Sequence, residues 1–174
     1  MRRAKTRWNN EFSLRAEIER TRHQLALSLA QFRPLKLSEW RGVEQRLYST
    51  FCRLQSPTLR PVRLWERFKL KTHSFHTPDR YPGFLLEKLV DAQESVWLIV
   101  NEGINESEKL WFYEGTISAI TRVIGESYFM DELYIVSKKY AWLLCINHHD
   151  TLYATGEIMA TKLRQLEESN LLEA

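Results

Sequence analysis

The chain has 174 residues, of which 44% are hydrophobic and 27% charged, values that exclude a disordered protein and are typical of a globular domain. No apolar run approaches the roughly 20 residues that cross a bilayer, and no apolar stretch follows the basic start as a secretory signal requires. We therefore expect a single domain over residues 1–174, located in the cytoplasm and without membrane contact. The two cysteines agree with a reducing compartment.

Charge divides the chain near residue 72. Residues 1–71 hold 17 Lys and Arg against 6 Asp and Glu, whereas residues 72–174 hold 8 against 16. The first part is predicted to be helical and basic, and the second to be an acidic core of mixed structure. We expect the two signs to occupy separate surfaces, so that the field of the protein orients charged partners.

Apolar spacing predicts two N-terminal helices. Leucines and isoleucines three, four and seven residues apart indicate a helix over Glu11–Phe32, which Pro34 ends. A second apolar stripe begins after Ser38, which has the character of an N-cap, and Pro57 closes that helix. Val62–Phe68 is expected to add one or two helical turns.

The acidic part is predicted to alternate strands with helices. A short strand is expected within Thr72–Gly83, a short helix at Phe84–Val90, a helix starting at Gly115-Thr116 and ending at Gly125, and a last helix from about Gly156. Further strands are predicted at Val96–Val100, Lys109–Tyr113, Leu133–Val136 and Tyr140–Ile146. Because short connections favour antiparallel pairing, the predicted fold is α+β: a mostly antiparallel sheet of four to six strands packed with N-terminal and C-terminal helices.

Three segments of the acidic part carry a resemblance to known sequences: Val96–Glu102, Leu110–Gly115 and Tyr134–Asp150. They resemble a family of small uncharacterised bacterial proteins, in which the shared half corresponds to residues 75–165. The resemblance implies a bacterial cytoplasmic protein and no particular chemistry. The size and architecture are also similar to those of immunity proteins that neutralise bacterial toxins.

The segment Asn147-His148-His149-Asp150 is the first candidate for chemistry, because imidazoles beside a carboxylate bind metals or move protons. If the strand continues, His148 and His149 point to opposite faces and cannot ligate one ion, whereas a turn could bring them together. The alternatives are a structural turn held by Asn147 and Asp150, a partner contact, or a metal or catalytic site. Cys145 is expected to lie in the core, since its neighbours are apolar.

His73 and His76 could approach His148 in space, although their spacing is also that of an ordinary loop.

Acidic groups form a second candidate. Glu102, Glu106 and Glu108 crowd one loop, and with Asp131 and Glu132 they could form an acidic surface that meets a basic partner. A solvated loop is the alternative.

The basic part supports a different hypothesis, in which arginines grip phosphates while Trp8 and Trp65 stack on bases. No nucleic-acid module accompanies these residues, and the commonest nucleotide, hydrolase and zinc-protease motifs are absent from the sequence.

Together these patterns favour a non-enzymatic protein-binding protein, an immunity-type inhibitor that docks on a toxin with a basic surface. No catalytic residue, cofactor or metal is predicted. The alternatives are an enzyme that uses His148, His149 and Asp150, and nucleic-acid association through the basic part. The predicted partner-binding residues are Glu102, Glu106, Glu108, Asp131, Glu132, His148, His149 and Asp150.

Overall fold

The structure is a computed structural model. It describes residues 13–56, 58, 60–61, 63–77, 80–102, 109–127 and 130–169, with Glu102 as backbone only. Within these residues, no helix has the length and apolar character needed to span a membrane.

The helices occur in the predicted order. They are α1 to α5, which span Leu14–Gln24, Leu37–Phe51, Leu86–Leu89, Ile117–Gly125 and Glu157–Glu168. Residues Leu64–Arg67 and Pro82–Leu85 form 3₁₀ turns, the second of which runs into α3. The helix α4 begins as predicted, because the Thr116 hydroxyl accepts a hydrogen bond from the Ala119 backbone N–H at 3.3 Å.

The described strands form one antiparallel sheet. They are β1 to β7, which span Phe32–Pro34, Thr72–His76, Ser95–Glu102, Leu110–Thr116, Met130–Ser137, Leu143–Ile146 and Thr151–Thr155. Their spatial order is β1-β4-β3-β5-β6-β7-β2, and every neighbouring pair is antiparallel. The fold is therefore α+β as predicted, with seven described strands where four to six were expected.

Two of the seven described strands, β1 and β7, have no counterpart among the predicted segments, and β1 comes from the end of the first predicted helix. The helix α1 ends at Gln24 instead of Phe32, since Ala26 adopts a φ of 53° that stops the helix. Phe32 then pairs with Gly115 in β4. Leu29 fitted the helical stripe, but it is 59% exposed.

The sheet is covered on both faces. On one face, Leu98, Ile135 and Leu144 pack with α1, α3, α4 and α5. On the other face, Tyr134 and Cys145 pack with α2 and with the Leu64–Arg67 turn. Because both faces are buried, β5 and β6 are nearly continuous apolar runs in the sequence.

One end of the sheet gathers several strand termini. Glu102 pairs with Met130, so β3 ends where β5 begins. Ile146 at the end of β6 lies beside the start of β7, and His76 at the end of β2 pairs with Thr151. We call this the Glu102 end of the sheet, and it carries the candidate site.

The two charge signs are not confined to separate surfaces. Within the described part of the chain, basic residues from the N-terminal part form ion pairs with acidic residues from the C-terminal part at three places. These pairs are Arg33–Glu114, Arg63–Glu132 and Lys71–Glu157. The prediction of segregated signs is therefore wrong at these contacts, because packing of the helices and the edge strands on the sheet brings the two parts together.

Candidate functional site

The segment Asn147–Asp150 forms a turn at the Glu102 end and does not continue strand β6. The side-chain Oδ1 of Asn147 accepts hydrogen bonds from the backbone N–H groups of His149 and Thr151, each at 3.1 Å. Asp150 adopts a φ of 52°, which reverses the chain into β7. The turn brings the rings of His148 and His149 to 3.9 Å between centroids, so the opposite-face geometry of an extended strand does not apply.

A buried carboxylate lies behind this turn. Glu132 is 2% exposed, and its Oε1 lies 3.1 Å from Nδ1 of His148. The indole N–H of Trp65 donates to the same oxygen at 2.8 Å. The Tyr134 hydroxyl donates to Oε2 at 2.5 Å. Three hydrogen-bonding groups therefore compensate for removing this charge from water.

The network extends to the backbone and to one arginine. The Tyr134 hydroxyl also accepts a hydrogen bond from the Leu64 backbone N–H at 3.1 Å. The Arg63 Nε lies 4.0 Å from Glu132 Oε1. Burial is the first cause that raises the pKa of the Tyr134 hydroxyl, and the Glu132 carboxylate adds to it. Tyr134 therefore stays protonated and acts as a hydrogen-bond donor.

Aromatic rings hold His148 in place on its outer side. The Trp65 and Tyr153 rings stack at 5.4 Å between centroids, and the Trp65 and His148 rings lie 6.3 Å apart in a tilted contact. Since Glu132 fixes Nδ1 and Trp65 flanks the ring, the orientation of the His148 imidazole is constrained. Its Nε2 makes no hydrogen bond with another described residue.

A cleft of about 200 Å³ opens beside His148. Its polar lining consists of Tyr81, Asp131, Asn147, His148 and Asp150, and its apolar lining comes from β5 and β6. Partial burial and then the Asp150 carboxylate raise the pKa of the Tyr81 hydroxyl. We call this the Asp131 cleft.

Two polar side chains at the Asp131 cleft lack a partner for at least one group among the described residues. Asp131 is exposed to water and has no hydrogen bond or ion pair with another described residue. Asn147 is 2% exposed, and its buried Nδ2 finds no acceptor within the described part of the chain. Buried polar groups without partners are uncommon in native proteins, so this amide indicates a site that an oxygen atom can occupy.

The structure brings together five of the eight predicted partner-binding residues. These are Asp131, Glu132, His148, His149 and Asp150, which lie at the Glu102 end. The backbone of Glu102 is at the same end, while Glu106 and Glu108 lie outside the described residues. Glu132 is a correction to the expected acidic surface: it is buried, and it lies behind His148, with a carboxylate oxygen within 4.8 Å of one from Asp131.

The other predicted histidine candidates have partners other than His148. His73 Nε2 lies 2.6 Å from Glu167 on α5, and His76 contacts the Thr151 hydroxyl. Neither of these contacts is with His148. Cys145 is fully buried, as expected, and burial is the first cause that raises the pKa of its thiol well above the usual value. It is therefore a core residue and not a reactive thiol.

Sequence reasoning did not place Trp65, Tyr134 or Tyr81 at this site. The one signal was Glu132, because a carboxylate immediately before the buried run Leu133–Val136 needs hydrogen-bond donors. No pattern in the sequence indicates which donors these are.

Comparison with known proteins identifies a family for this chain. The sequence profile of a family of unknown function (DUF6756) matches residues 10–167, so the chain belongs to that family. The match starts at residue 10 and includes the N-terminal helices, which the expected range of 75–165 left out. Neither a curated protein nor a solved structure matches the chain.

Proposed function

Since membership of this family supplies no activity, we propose from the geometry that the protein is a non-enzymatic binding protein, which docks a positively charged group of a protein partner in the Asp131 cleft. The observation that carries the proposal is the gathering of Asp131, His148 and Asp150 around one cleft, with the Glu132 carboxylate behind them. These groups come from separate elements, and the fold holds them together.

The size of the cleft favours a side chain over a whole small molecule. Pockets that enclose small molecules have volumes of about 300–1,000 Å³, whereas this cleft has about 200 Å³. A lysine or arginine side chain fits such a space. The Tyr81 ring in the wall adds a surface on which a cation is attracted.

Charge favours a basic partner. Asp131 and Asp150 are exposed, and Asp131 has no described ion pair that a partner must first break. Complementary charge of this kind increases association rate and selectivity more than affinity. A toxin that cleaves nucleic acid has a basic active-site cleft, so an immunity-type inhibitor in the cytoplasm of a bacterium is the specific form of this proposal.

Co-purification with matched variants tests the proposal. The full chain is isolated from its native host at low salt, as wild type, as the double variant Asp131→Asn/Asp150→Asn, and as Asp91→Asn. Asp91 is an exposed carboxylate that precedes β3 at the opposite end of the sheet. We expect a partner with wild type and Asp91→Asn, released by salt and lost with the double variant. Absence of a partner, or equal capture by all three proteins, would overturn the proposal.

The Glu132–His148 contact favours one second candidate, an enzyme. A carboxylate that holds Nδ1 of an imidazole leaves Nε2 available as a general base. His148→Gln should then abolish a cellular phenotype while the partner still co-purifies. If partner capture and phenotype are lost together, the enzyme hypothesis is unnecessary.

A further inference from the structure

We propose that Asp131, Glu132 and His148 bind one divalent transition-metal ion of the zinc class at the Glu102 end of the sheet. This inference goes beyond docking, and each of the two proposals can fail while the other stands. A bound ion and a basic partner group would compete for the Asp131 carboxylate.

The distances suit an ion. The ligand atoms of Asp131, Glu132 and His148 all lie within 4.8 Å of one another, and Nδ1 of His148 is 3.1 Å from Oε1 of Glu132. Two ligand atoms that are each about 2.1 Å from a tetrahedral or octahedral ion lie about 3.0–3.4 Å apart. The pair already has this spacing, so an ion bound between them would take the place of the proton that Nδ1 shares with Glu132, and this proton would be released to solvent. The exposed Asp131 side chain can close the remaining distance.

The donor set selects the class of ion. One imidazole nitrogen with two carboxylates is a combination that suits zinc, iron, manganese or cobalt. Calcium and magnesium prefer sites made entirely of oxygen atoms. Three protein ligands also leave a coordination position open, as in zinc sites that hold a water molecule.

The surroundings of Glu132 support it as a ligand. Trp65 and Tyr134 donate hydrogen bonds to its two oxygens, which is the kind of second layer that orients carboxylates in metal sites. The nearest described cation is Arg63, at 4.0 Å from Oε1. An ion would add positive charge where two carboxylates lie close together.

Asn147 supplies an independent observation. Its side chain borders the cleft, it is 2% exposed, and its Nδ2 has no acceptor among the described residues. A water molecule on the ion would present an oxygen to the cleft that this side chain lines. The proposal therefore also offers an acceptor for the unpaired amide.

Isothermal titration of the full chain with ZnCl₂, MgCl₂ and CaCl₂ tests the site. The variants are Asp131→Asn and His148→Gln, and the matched controls are Asp91→Asn and His76→Gln, which change exposed residues of the same types. We expect one zinc ion per chain, and a loss of affinity of about tenfold or more in both variants but not in the controls. Absence of zinc binding, tighter binding of magnesium or calcium, or unchanged affinity in both variants would overturn the proposal.

The variant His148→Gln removes the contact with Glu132 as well as the proposed ligand. A second measurement therefore uses the wild-type chain. Nuclear magnetic resonance of the histidine rings in the wild-type chain follows the zinc titration. We expect the His148 ring signals to shift and saturate at one equivalent, while those of His73 and His76 stay in place. Shifts that leave His148 unchanged contradict the proposal. Zinc binding by a protein that captures no partner would leave the metal site standing and remove docking.

Discussion

Replacing Tyr134 by Phe removes only the hydroxyl at the centre of the Glu132 network. The ring is fully buried and keeps its packing. The change leaves the buried Leu64 N–H without its acceptor and Glu132 Oε2 without its donor. An unsatisfied buried group costs about 1–3 kcal/mol, and a hydrogen bond to a charged group contributes about 1.5–3 kcal/mol. We therefore expect the free energy of unfolding to fall by about 2.5–6 kcal/mol.

Urea unfolding followed by circular dichroism measures this change. The matched control is Tyr153→Phe, because the half-buried Tyr153 stacks on Trp65 and its hydroxyl has no described hydrogen bond. The control should stay within about 0.5 kcal/mol of wild type. A loss below about 1 kcal/mol for Tyr134→Phe, or equal losses in both variants, would refute the network as the support of Glu132.

Three further predictions concern single residues. Burial raises the pKa of the Cys52 thiol to about 12, and Cys145 is also buried. Neither thiol of the native protein should therefore react with Ellman's reagent at pH 8, whereas both should react after unfolding. Rapid labelling of the native protein would contradict this. The pKa of Glu39 is lowered from 4.5 to about 2, chiefly by a hydrogen bond from the Arg33 side chain and next by one from the Lys36 backbone N–H. Its contribution to stability is therefore present above pH 4.5 and lost as the pH falls towards 2, and acid unfolding of Glu39→Gln should be less steep in that window than for wild type. Gly156 has a φ of 101°, and a Cβ added there would lie 2.5 Å from the backbone oxygen of Ala141. Gly156→Ala should therefore lower the free energy of unfolding by about 2 kcal/mol or more. The control Gly42→Ala, which lies in α2 with open space, should stabilise by about 0.5–1 kcal/mol; equal effects in thermal unfolding would contradict the strain argument.

Strands β3 to β6 and the helix α4 were predictable because their local signals agree with the final packing. The run Leu133–Val136 is apolar at every position, and it forms the centre of β5 with both faces covered. The helix α4 has apolar residues at helical spacing, a threonine cap and a glycine near its end, and each of these signals is local.

The first helix was predicted too long because its apolar spacing does not report tertiary pairing. The stripe continues to Phe32, yet the backbone of Phe32 gains hydrogen bonds in the sheet with Gly115, 83 positions further along the chain. A long-range pairing of this kind overrides local periodicity and leaves no local signal.

The candidate site was predictable only in part. The residue types at Asn147–Asp150 indicated a site, but whether His148 and His149 converge depended on a turn that Asp150 makes with a positive φ. The contact between Trp65 and Glu132 joins segments 67 positions apart. Trp65 reaches Glu132 because the Leu64–Arg67 turn packs on one face of the sheet, and no pattern within either segment specifies this.

Site-specific photo-cross-linking in the native host tests most directly whether the Asp131 cleft is where a protein partner docks. p-Benzoylphenylalanine is introduced in place of Tyr81, which lines the cleft and leaves both carboxylates intact, and in place of Asp91 in a second protein. We expect a protein adduct from position 81 that salt suppresses and that position 91 does not give. Absence of an adduct at position 81, or the same adduct from both positions, would contradict docking in the Asp131 cleft.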